Sequence, residues 1–251
     1  MIEVKNLSFS YSTDQPVFDE FNWSVERGEA WAILGPSGCG KSTLLYLLAG
    51  LRTPQQGQVL IDGKEMLQPR PNSGLIIQDF GLLPWATVKK NSELGFNIRR
   101  FYGPDGKHAP ANAQSALGKV DQWLIRLGLS EQMDKFPGQL SGGQRQRTAI
   151  ARTLALSPDL LLMDEPFSSL DAPTRESLQE LVLQLWHEEQ LTMITVTHSI
   201  EEAAILGRKI LLLQQPPNHQ VQVIHNPDMQ QPGFRYSSAY QQICQHLRES
   251  I

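Results

Sequence analysis

The chain has 251 residues, of which 40% are hydrophobic and 19% are charged, and its formal net charge is −4. This length suggests one large domain or two small ones with ample material for a core, and the composition excludes a disordered chain. The mild negative charge gives no support to a general nucleic-acid-binding surface, for which a basic excess is the usual footprint.

The cysteines and the first residues indicate the compartment. The two cysteines, Cys39 and Cys244, do not form the pattern of a disulfide framework, which favours a reducing, cytoplasmic setting. The N-terminus lacks the basic-then-apolar form of a signal peptide, and no apolar run approaches the about 20 residues that span a bilayer. We therefore expect any role at a membrane to depend on a partner.

The first third of the chain alternates between strand and helix patterns. Alternating apolar residues over Ile2–Gly28 predict antiparallel strands with one buried face. The apolar run Ala30–Leu34 predicts a buried strand, and Thr43–Ala49 predicts a helix. Gln58–Lys64 predicts another strand, which ends at the turn dipeptide Asp62-Gly63.

A glycine-rich stretch joins the predicted strand Ala30–Leu34 to the predicted helix. Its sequence is Gly35-Pro36-Ser37-Gly38-Cys39-Gly40-Lys41-Ser42, which fits the pattern G-x-x-x-x-G-K-[ST]. Glycines let successive N–H groups of such a loop point inward at phosphate oxygens, and the helix dipole adds to their effect. Lys41 supplies a positive charge for the β- and γ-phosphates, and the Ser42 hydroxyl can ligate Mg²⁺. A glycine-rich turn before a core helix is the alternative, and the loop by itself indicates only nucleoside-phosphate binding.

The middle of the chain is predicted to be helical from Val88 to about Ser157. Apolar spacing predicts one helix over Ala116–Leu129 and another over Gln144–Leu156, the latter after the turn Ser141-Gly142-Gly143. The stretch Gly103–Asn112 is rich in Gly, Pro and polar residues and predicts a loop.

The remainder alternates between strands and helices, which implies a parallel sheet flanked by helices. The predicted elements are strands at Gly74–Gln78, Leu160–Met163, Thr192–Thr197 and Ile210–Leu213, and helices over Thr174–Glu189 and from Ser199, where Glu202 is placed for a capping box. Beyond Pro216-Pro217 we expect a strand over Gln220–Ile224 and a short helix over Ala239–Leu247.

Two further motifs carry chemistry. Asp164 and Glu165 follow an apolar strand, where ligands bind in an open α/β sheet, so that one carboxylate can hold Mg²⁺ and the next can activate water. In Leu140–Gln144 (LSGGQ), a serine and two glycine amides at a helix N-terminus form a second anion site. The alternatives are two acids that merely end a strand and a helix cap with no ligand.

Taken in order, these motifs resemble the ATP-binding subunit of ABC transporters, from Ile2 to about Leu213. The residues that carry the resemblance are Gly35–Ser42, Gln78, Leu140–Gln144, Asp164-Glu165-Pro166, Ser169-Leu170-Asp171 and His198. The resemblance implies an α/β fold: a P-loop NTPase core with a mainly parallel sheet, an N-terminal antiparallel β subdomain and an inserted α-helical subdomain. Residues 1–215 would be the ATP-binding domain, with the helical subdomain at about 88–157, and residues 216–251 a short C-terminal extension.

The resemblance also implies that ATP and Mg²⁺ bind between two subunits packed head to tail. The implied catalytic residues are Glu165 as general base, His198 at the γ-phosphate, Gln78 at the attacking water, and Lys41. ATP would contact Tyr11, whose ring stacks on adenine, the loop residues Gly35, Pro36, Ser37, Gly38, Cys39, Gly40, Lys41, Ser42 and Thr43, and Ser141, Gly142, Gly143 and Gln144 of the other subunit. Ser42, Gln78 and Asp164 would reach the metal. Asp171 would act across the dimer interface.

Each of these assignments has a structural alternative. His198 and Gln78 could be polar residues that end strands, and Tyr11 could be an exposed strand aromatic. Asp171 could instead start a helix, because Pro173 follows in its first turn.

The implied partners are a second copy of the chain, or a homologous subunit in its place, and membrane-spanning permease subunits at the cytoplasmic face of the membrane. A solute-binding protein would act indirectly, and no nucleic acid is expected. Leu82–Val88 is similar to the corresponding loop of importers for nitrate, sulfonate and taurine, although Trp85 could also pack locally. The alternative function is a non-transport ABC ATPase that acts on nucleic acid or ribosomes, but the chain lacks the heptad runs of such proteins.

Overall fold

The computed structural model describes residues 1–12, 15–105, 107–110 and 118–251. Its strands and helices in chain order are β1 (Ile2–Ser10), β2 (Pro16–Val25), β3 (Ala30–Leu34), α1 (Lys41–Leu48), β4 (Gln56–Ile61), β5 (Lys64–Glu65), β6 (Ser73–Ile76), α2 (Val88–Tyr102), α3 (Gly118–Arg126), α4 (Gly142–Leu154), β7 (Leu160–Asp164), α5 (Ala172–Glu188), β8 (Thr192–Thr197), α6 (Ile200–Leu206), β9 (Lys209–Leu212), β10 (Gln222–His225) and α7 (Ser238–Ser250). The chain divides into two compact units, the first comprising Met1–Pro69 and Leu183–Ile251 and the second Arg70–Val182.

The first unit contains an antiparallel sheet in the order β2-β1-β4-β5. In β1 the apolar side chains alternate inward, and Val4 pairs with Trp23 on one side and with Val59 on the other. Asp62 and Gly63 turn the chain from β4 into β5, and both have positive φ angles, as a type I′ hairpin turn requires. The predicted N-terminal antiparallel strands and the Asp-Gly turn are therefore confirmed.

The first unit also contains strands in the order β10-β9-β3-β8, with β9, β3 and β8 parallel and β10 antiparallel to β9. Strand β3 is buried along its whole length, as its unbroken apolar run predicts. A core forms where α6 and α7 cover these strands. Its buried residues are Ala32, Leu34, Ala203, Ala204, Ile210, Leu212, Ile224, Cys244 and Leu247.

The second unit pairs β6 with β7 in parallel and contains α2, α3 and α4. Helix α4 packs close to β6, because a Cβ built on Gly74 would lie 2.3 Å from the methyl group of Thr153. The predicted helix over 116–129 is observed as Gly118–Arg126, and residues 111–117 lie outside the described part of the chain. Of the predicted loop over 103–112, the described residues are irregular.

The α/β class with a P-loop NTPase arrangement is confirmed, whereas one local detail differs. Ser199 caps α6 by accepting a hydrogen bond from the Glu202 N–H, as predicted. The second contact of the capping box, between the Ser199 N–H and the Glu202 side chain, is made through Thr197. The Thr197 hydroxyl accepts from the Ser199 N–H and donates to the Glu202 carboxylate at 2.6 Å. The expected limits of the helical subdomain and of the C-terminal extension remain predictions.

Candidate active site

The glycine-rich loop Gly35–Ser42 runs from the end of β3 into the first turn of α1. Gly38 and Gly40 have φ angles of 79° and 104°, which side-chain-bearing residues rarely adopt. A Cβ on Gly35 would lie 2.3 Å from the carbonyl oxygen of Leu213. The loop therefore needs glycine at these positions for backbone conformation and for close packing, quite apart from any ligand.

Lys41 folds back onto this loop. Its ammonium group donates to the carbonyl oxygens of Gly35 and Pro36, each at 2.8 Å, and the side chain is buried. A buried ammonium requires acceptors, and the two loop carbonyls provide them. The positive charge is consequently held within the loop itself, beside the backbone groups predicted to meet the phosphates.

Cys39 faces the interior. Its side chain is fully buried, and burial raises the pKa of the thiol, outweighing the opposite effect of the nearby Lys41 charge. The Cys39 thiol is therefore not available to a ligand of the loop.

Tyr11 lies beside the start of α1. Its hydroxyl is 3.1 Å from the Thr43 hydroxyl, and the edge of its ring meets Phe9 at a centroid distance of 5.1 Å. The ring is 59% exposed, and the Arg52 guanidinium lies 5.7 Å from its centroid. An exposed aromatic face next to the predicted phosphate loop suits base stacking. Nothing in the sequence pattern pointed to Arg52.

His198 is placed by strand register. Leu34 of β3 pairs with Thr197 of β8, so that Gly35 and His198 are the residues that follow two paired strand ends. Because the strands are parallel, both residues leave the same edge of the sheet. His198 is exposed there, one residue before the cap of α6.

In the second unit, register also joins Gln78 and Glu165. Ile76 of β6 pairs with Met163 of β7, and each of the two predicted residues lies two positions farther on. The Gln78 amide donates to the Glu165 carboxylate at 3.5 Å. Glu165 has a φ of 44°, an uncommon conformation for a non-glycine residue that is often found at functional sites.

The donor set is compatible with Mg²⁺. The described residues contain no group of three or more His, Cys, Asp or Glu side chains able to hold a metal ion. Magnesium does not require such a cage, because it is commonly bound by one or two carboxylates together with phosphates and water. Asp164, a buried carboxylate at the last position of β7, is the hard oxygen donor that such a site needs.

The LSGGQ stretch begins α4 with a complete capping box. The Ser141 hydroxyl accepts from the Gln144 N–H at 3.3 Å, and the Gln144 side chain accepts from the Ser141 N–H at 3.0 Å. A Cβ on Gly143 would lie 2.6 Å from the Thr174 methyl group, so this glycine permits close packing on α5. The cap predicted as the alternative is thus present, and contact with a ligand remains a prediction.

Asp171 starts α5 as predicted. Its carboxylate accepts from the Thr174 N–H at 3.1 Å, and this hydrogen bond lowers the pKa of the Asp171 carboxyl. The role of Asp171 across a dimer interface is untouched by this contact and remains a prediction.

The Trp-bearing loop, Leu82–Val88, is held by hydrogen bonds from within the second unit. The buried Asn91 side chain bonds both the N–H and the carbonyl of Leu83 and donates to the carbonyls of Ala86 and Thr87. Trp85, between these anchors, is 74% exposed. The alternative of local packing for this ring is therefore wrong.

The structure brings together part of the predicted site within each unit. The first unit joins Tyr11 and Thr43 to the loop, and the second joins Gln78 to Glu165. Sequence reasoning missed Asn218, whose side chain donates to the Cys39 carbonyl at 2.9 Å. No signal could have revealed that contact, because 179 positions separate the two residues.

Comparison with known proteins gives consistent results. A family model described as "ABC transporter" matches residues 18–168. An uncharacterized ABC transporter ATP-binding protein of Methanocaldococcus jannaschii is 39% identical, over 94% of this chain and 85% of the relative. The taurine import ATP-binding protein of Escherichia coli O157:H7 is 40% identical over 86% of this chain and 81% of the relative. The aliphatic sulfonates import ATP-binding protein of Bacillus anthracis is 36% identical over 96% and 90%, respectively.

The fold is similar to that of a solved ATP-binding cassette. A dimeric ATP-binding cassette solved in a post-hydrolysis state with ADP and Pi superposes with a TM-score of 0.74 at 29% identity, over 90% of this chain and 99% of that chain. No helix within the described ranges is long and apolar enough to cross a membrane.

Proposed function

Since the chain belongs to the ABC transporter family, we propose that it is the ATP-binding and ATP-hydrolysing subunit of an importer for a small solute of the sulfonate, taurine or nitrate kind. The observation that carries the proposal is the loop Gly35–Ser42, held between a buried parallel strand and a helix N-terminus with its lysine already seated on it. The chain's similarity to import subunits over most of its length supports the direction of transport.

Nucleotide binding is assigned to the first unit. The Tyr11 ring stacks on adenine, since its face is exposed and its hydroxyl is anchored on Thr43. The N–H groups of the loop and of the first turn of α1 bind phosphate oxygens, and the Lys41 ammonium leaves its two carbonyl acceptors for the more negative phosphates.

Hydrolysis is assigned to the residues that follow the parallel strands. Glu165 orients and deprotonates the attacking water, and Gln78 holds the Glu165 carboxylate in place through their hydrogen bond. His198 contacts the γ-phosphate from the edge at which β3 and β8 end. Asp164 and Ser42 would hold Mg²⁺, which would neutralise phosphate charge.

The active form is a head-to-tail dimer of two copies of the chain. The N–H groups at the start of α4 face the ATP bound by the partner's loop, while the capping box keeps Ser141 and Gln144 in position. Binding of ATP closes the dimer, and hydrolysis reopens it. This arrangement explains why one chain carries two anion sites.

The partner that receives this motion is a membrane-spanning permease, contacted at the cytoplasmic face of the membrane by the loop around Trp85. An exposed tryptophan on a loop pinned by the buried Asn91 presents a preformed apolar anchor, the kind of residue that dominates protein interfaces. A solute-binding protein delivers the solute to the permease and does not touch this chain.

The test of the proposal is Glu165→Gln, which keeps the shape of the side chain and removes the base. We expect ATP hydrolysis to fall by at least about 100-fold, as loss of a general base implies, while ATP-dependent dimers accumulate. The matched control is Glu180→Gln, an exposed carboxylate on α5 of the same unit. Hydrolysis is measured as phosphate release, and dimers are measured by light scattering with and without ATP.

Two results would contradict the proposal. Ordinary phosphate release by Glu165→Gln would remove Glu165 from the reaction. Stimulation of hydrolysis by DNA, RNA or ribosomes, with none by permease-containing membranes, would favour the non-transport alternative.

A further inference from the structure

Asn218 is a buried amide that contacts the phosphate loop from the C-terminal part of the chain. The residue is 5% exposed. Its side-chain nitrogen donates to the carbonyls of Cys39 at 2.9 Å and Val17 at 3.1 Å, and its side-chain oxygen accepts from the Gln214 N–H at 3.0 Å. Both ends of the amide are therefore satisfied, and one of its partners is a backbone group of the loop.

The backbone of Asn218 is anchored independently of its side chain. Its N–H donates to the Val17 carbonyl at 3.0 Å, and its carbonyl accepts from the Asp19 N–H at 3.1 Å. These bonds seat Asn218 against the start of β2 in a parallel bridge with Phe18. Loss of the side-chain amide would consequently leave both backbone bonds in place, while it removes the contact with the Cys39 carbonyl together with the side-chain bonds to Val17 and Gln214.

The same segment meets the loop at both of its ends. Leu213 donates its N–H to the Leu34 carbonyl and presents its own carbonyl where a Cβ of Gly35 would stand. Five residues later, Asn218 holds the Cys39 carbonyl just before Gly40, the last residue of the loop ahead of α1. The loop is thus supported at its entry and at its exit by Leu213–Asn218.

The contact with Cys39 sets the direction of the next N–H group. In a trans peptide the carbonyl and the following N–H point in opposite directions. Because the Cys39 carbonyl points toward Asn218, the Gly40 N–H points away from Asn218. Glycine itself does not restrict this peptide to one orientation, because it adopts either sign of φ.

We propose that Asn218 is a positioning residue for nucleotide binding, which acts through the Cys39 carbonyl to hold the Gly40 N–H toward the phosphates. The inference rests on the proposed function, in which this loop binds the nucleotide. It extends that function to a residue outside the region matched by the family model, 18–168, and gives the C-terminal segment a part in the site.

The chain offers a matched control for the experiment. Asn226 is likewise buried, at 3% exposure, and its amide likewise donates to two backbone carbonyls, those of Ala204 at 2.7 Å and Gly207 at 2.9 Å. None of these groups belongs to the phosphate loop. Asn218→Asp and Asn226→Asp each replace an amide by a carboxylate of the same shape that cannot donate, so both should lower the stability of the fold.

The binding of ADP to the full-length variants is measured by calorimetry, and stability is measured by urea unfolding. We expect the Kd for ADP to rise roughly five- to tenfold in Asn218→Asp. Loss of one buried hydrogen bond changes the equilibrium between the ordered and disordered forms of a loop by about this factor. Asn226→Asp should bind ADP like the wild type at a similar loss of stability. Equal ADP affinities in the two variants would overturn the inference.

Two further arms separate this inference from the proposed function. If Lys41→Ala binds ADP like the wild type, the loop is not the nucleotide site and the proposed function fails. Hydrogen exchange of the N–H groups of Gly35 and of residues 37–40, measured without nucleotide, tests directly whether Asn218 orders the loop. Faster exchange in Asn218→Asp but not in Asn226→Asp supports the inference, and unchanged exchange overturns it. Asn218→Ala and Asn226→Ala repeat the comparison without the negative charge that an aspartate adds near the loop, and they also serve if the aspartate variants do not fold.

Discussion

Removal of the Tyr11 ring should weaken adenine binding without disturbing the fold. The side chain is 59% exposed, and its contacts within the first unit are an edge of Phe9, the Thr43 hydroxyl and the nearby Arg52. Stacking of an aromatic ring on a base is worth about 1–3 kcal/mol, and about 1.4 kcal/mol corresponds to a factor of ten. Tyr11→Ala should therefore raise the Kd for ADP by roughly 5- to 150-fold.

Tyr11→Phe isolates the ring from the hydroxyl. It keeps the exposed face and deletes only the 3.1 Å contact with Thr43, so we expect its affinity for ADP to stay within about threefold of the wild type, because a part-buried hydrogen bond contributes little in net terms. Calorimetry with ADP and GDP serves as the assay, and both bases should respond alike because each offers a π-face. If Tyr11→Phe lost as much affinity as Tyr11→Ala, the hydroxyl rather than stacking would explain the role of Tyr11.

Three further outcomes follow from the geometry of the first unit. Gly40→Ala should cost about 1–3 kcal/mol of stability more than Gly38→Ala in urea unfolding, since both have positive φ but only at Gly40 would a Cβ strike a neighbour, 2.5 Å from Val17; equal losses would refute the steric argument. Cys39 should react slowly with a thiol reagent even without nucleotide, because the thiol is buried and burial raises its pKa; rapid labelling of the folded protein would contradict this. Burial raises the pKa of Tyr240 to about 12 from its ordinary value, so the folded state retains a proton that the unfolded state loses, and stability should fall as the pH rises from about 10 to about 12; a Tyr240→Phe variant with an equally steep fall would count against it.

Local patterns allowed much of the fold to be predicted. The turn at Asp62-Gly63, the buried strand Ala30–Leu34 and the helix start at Asp171 each depend on residues within a few positions of one another. Their structures follow from glycine's freedom at positive φ, from apolar runs and from side chains that cap nearby N–H groups. Such effects act over a few residues and can therefore be predicted from the sequence.

The pairing register of the strands could not be predicted from the sequence. Gln78 and Glu165 stand 87 positions apart, and their contact exists because Ile76 pairs with Met163 and with no neighbouring residue. A shift of the pairing by one residue would turn one of the two side chains to the opposite face of the strands. The pairing depends on packing of the whole unit and cannot be derived from either strand alone.

By itself, the sequence determined which chemical groups stand together along this chain: the glycine-rich loop with Lys41, the adjacent carboxylates Asp164 and Glu165, and the serine that caps a helix at Ser141. Only the tertiary structure decided how these pieces are held. It buried the Cys39 thiol, seated the Lys41 ammonium on loop carbonyls and brought Asn218 against the loop. The physical reason is that motif chemistry depends on covalent neighbours, whereas burial and long-range hydrogen bonds depend on which distant segments the folded core brings into contact.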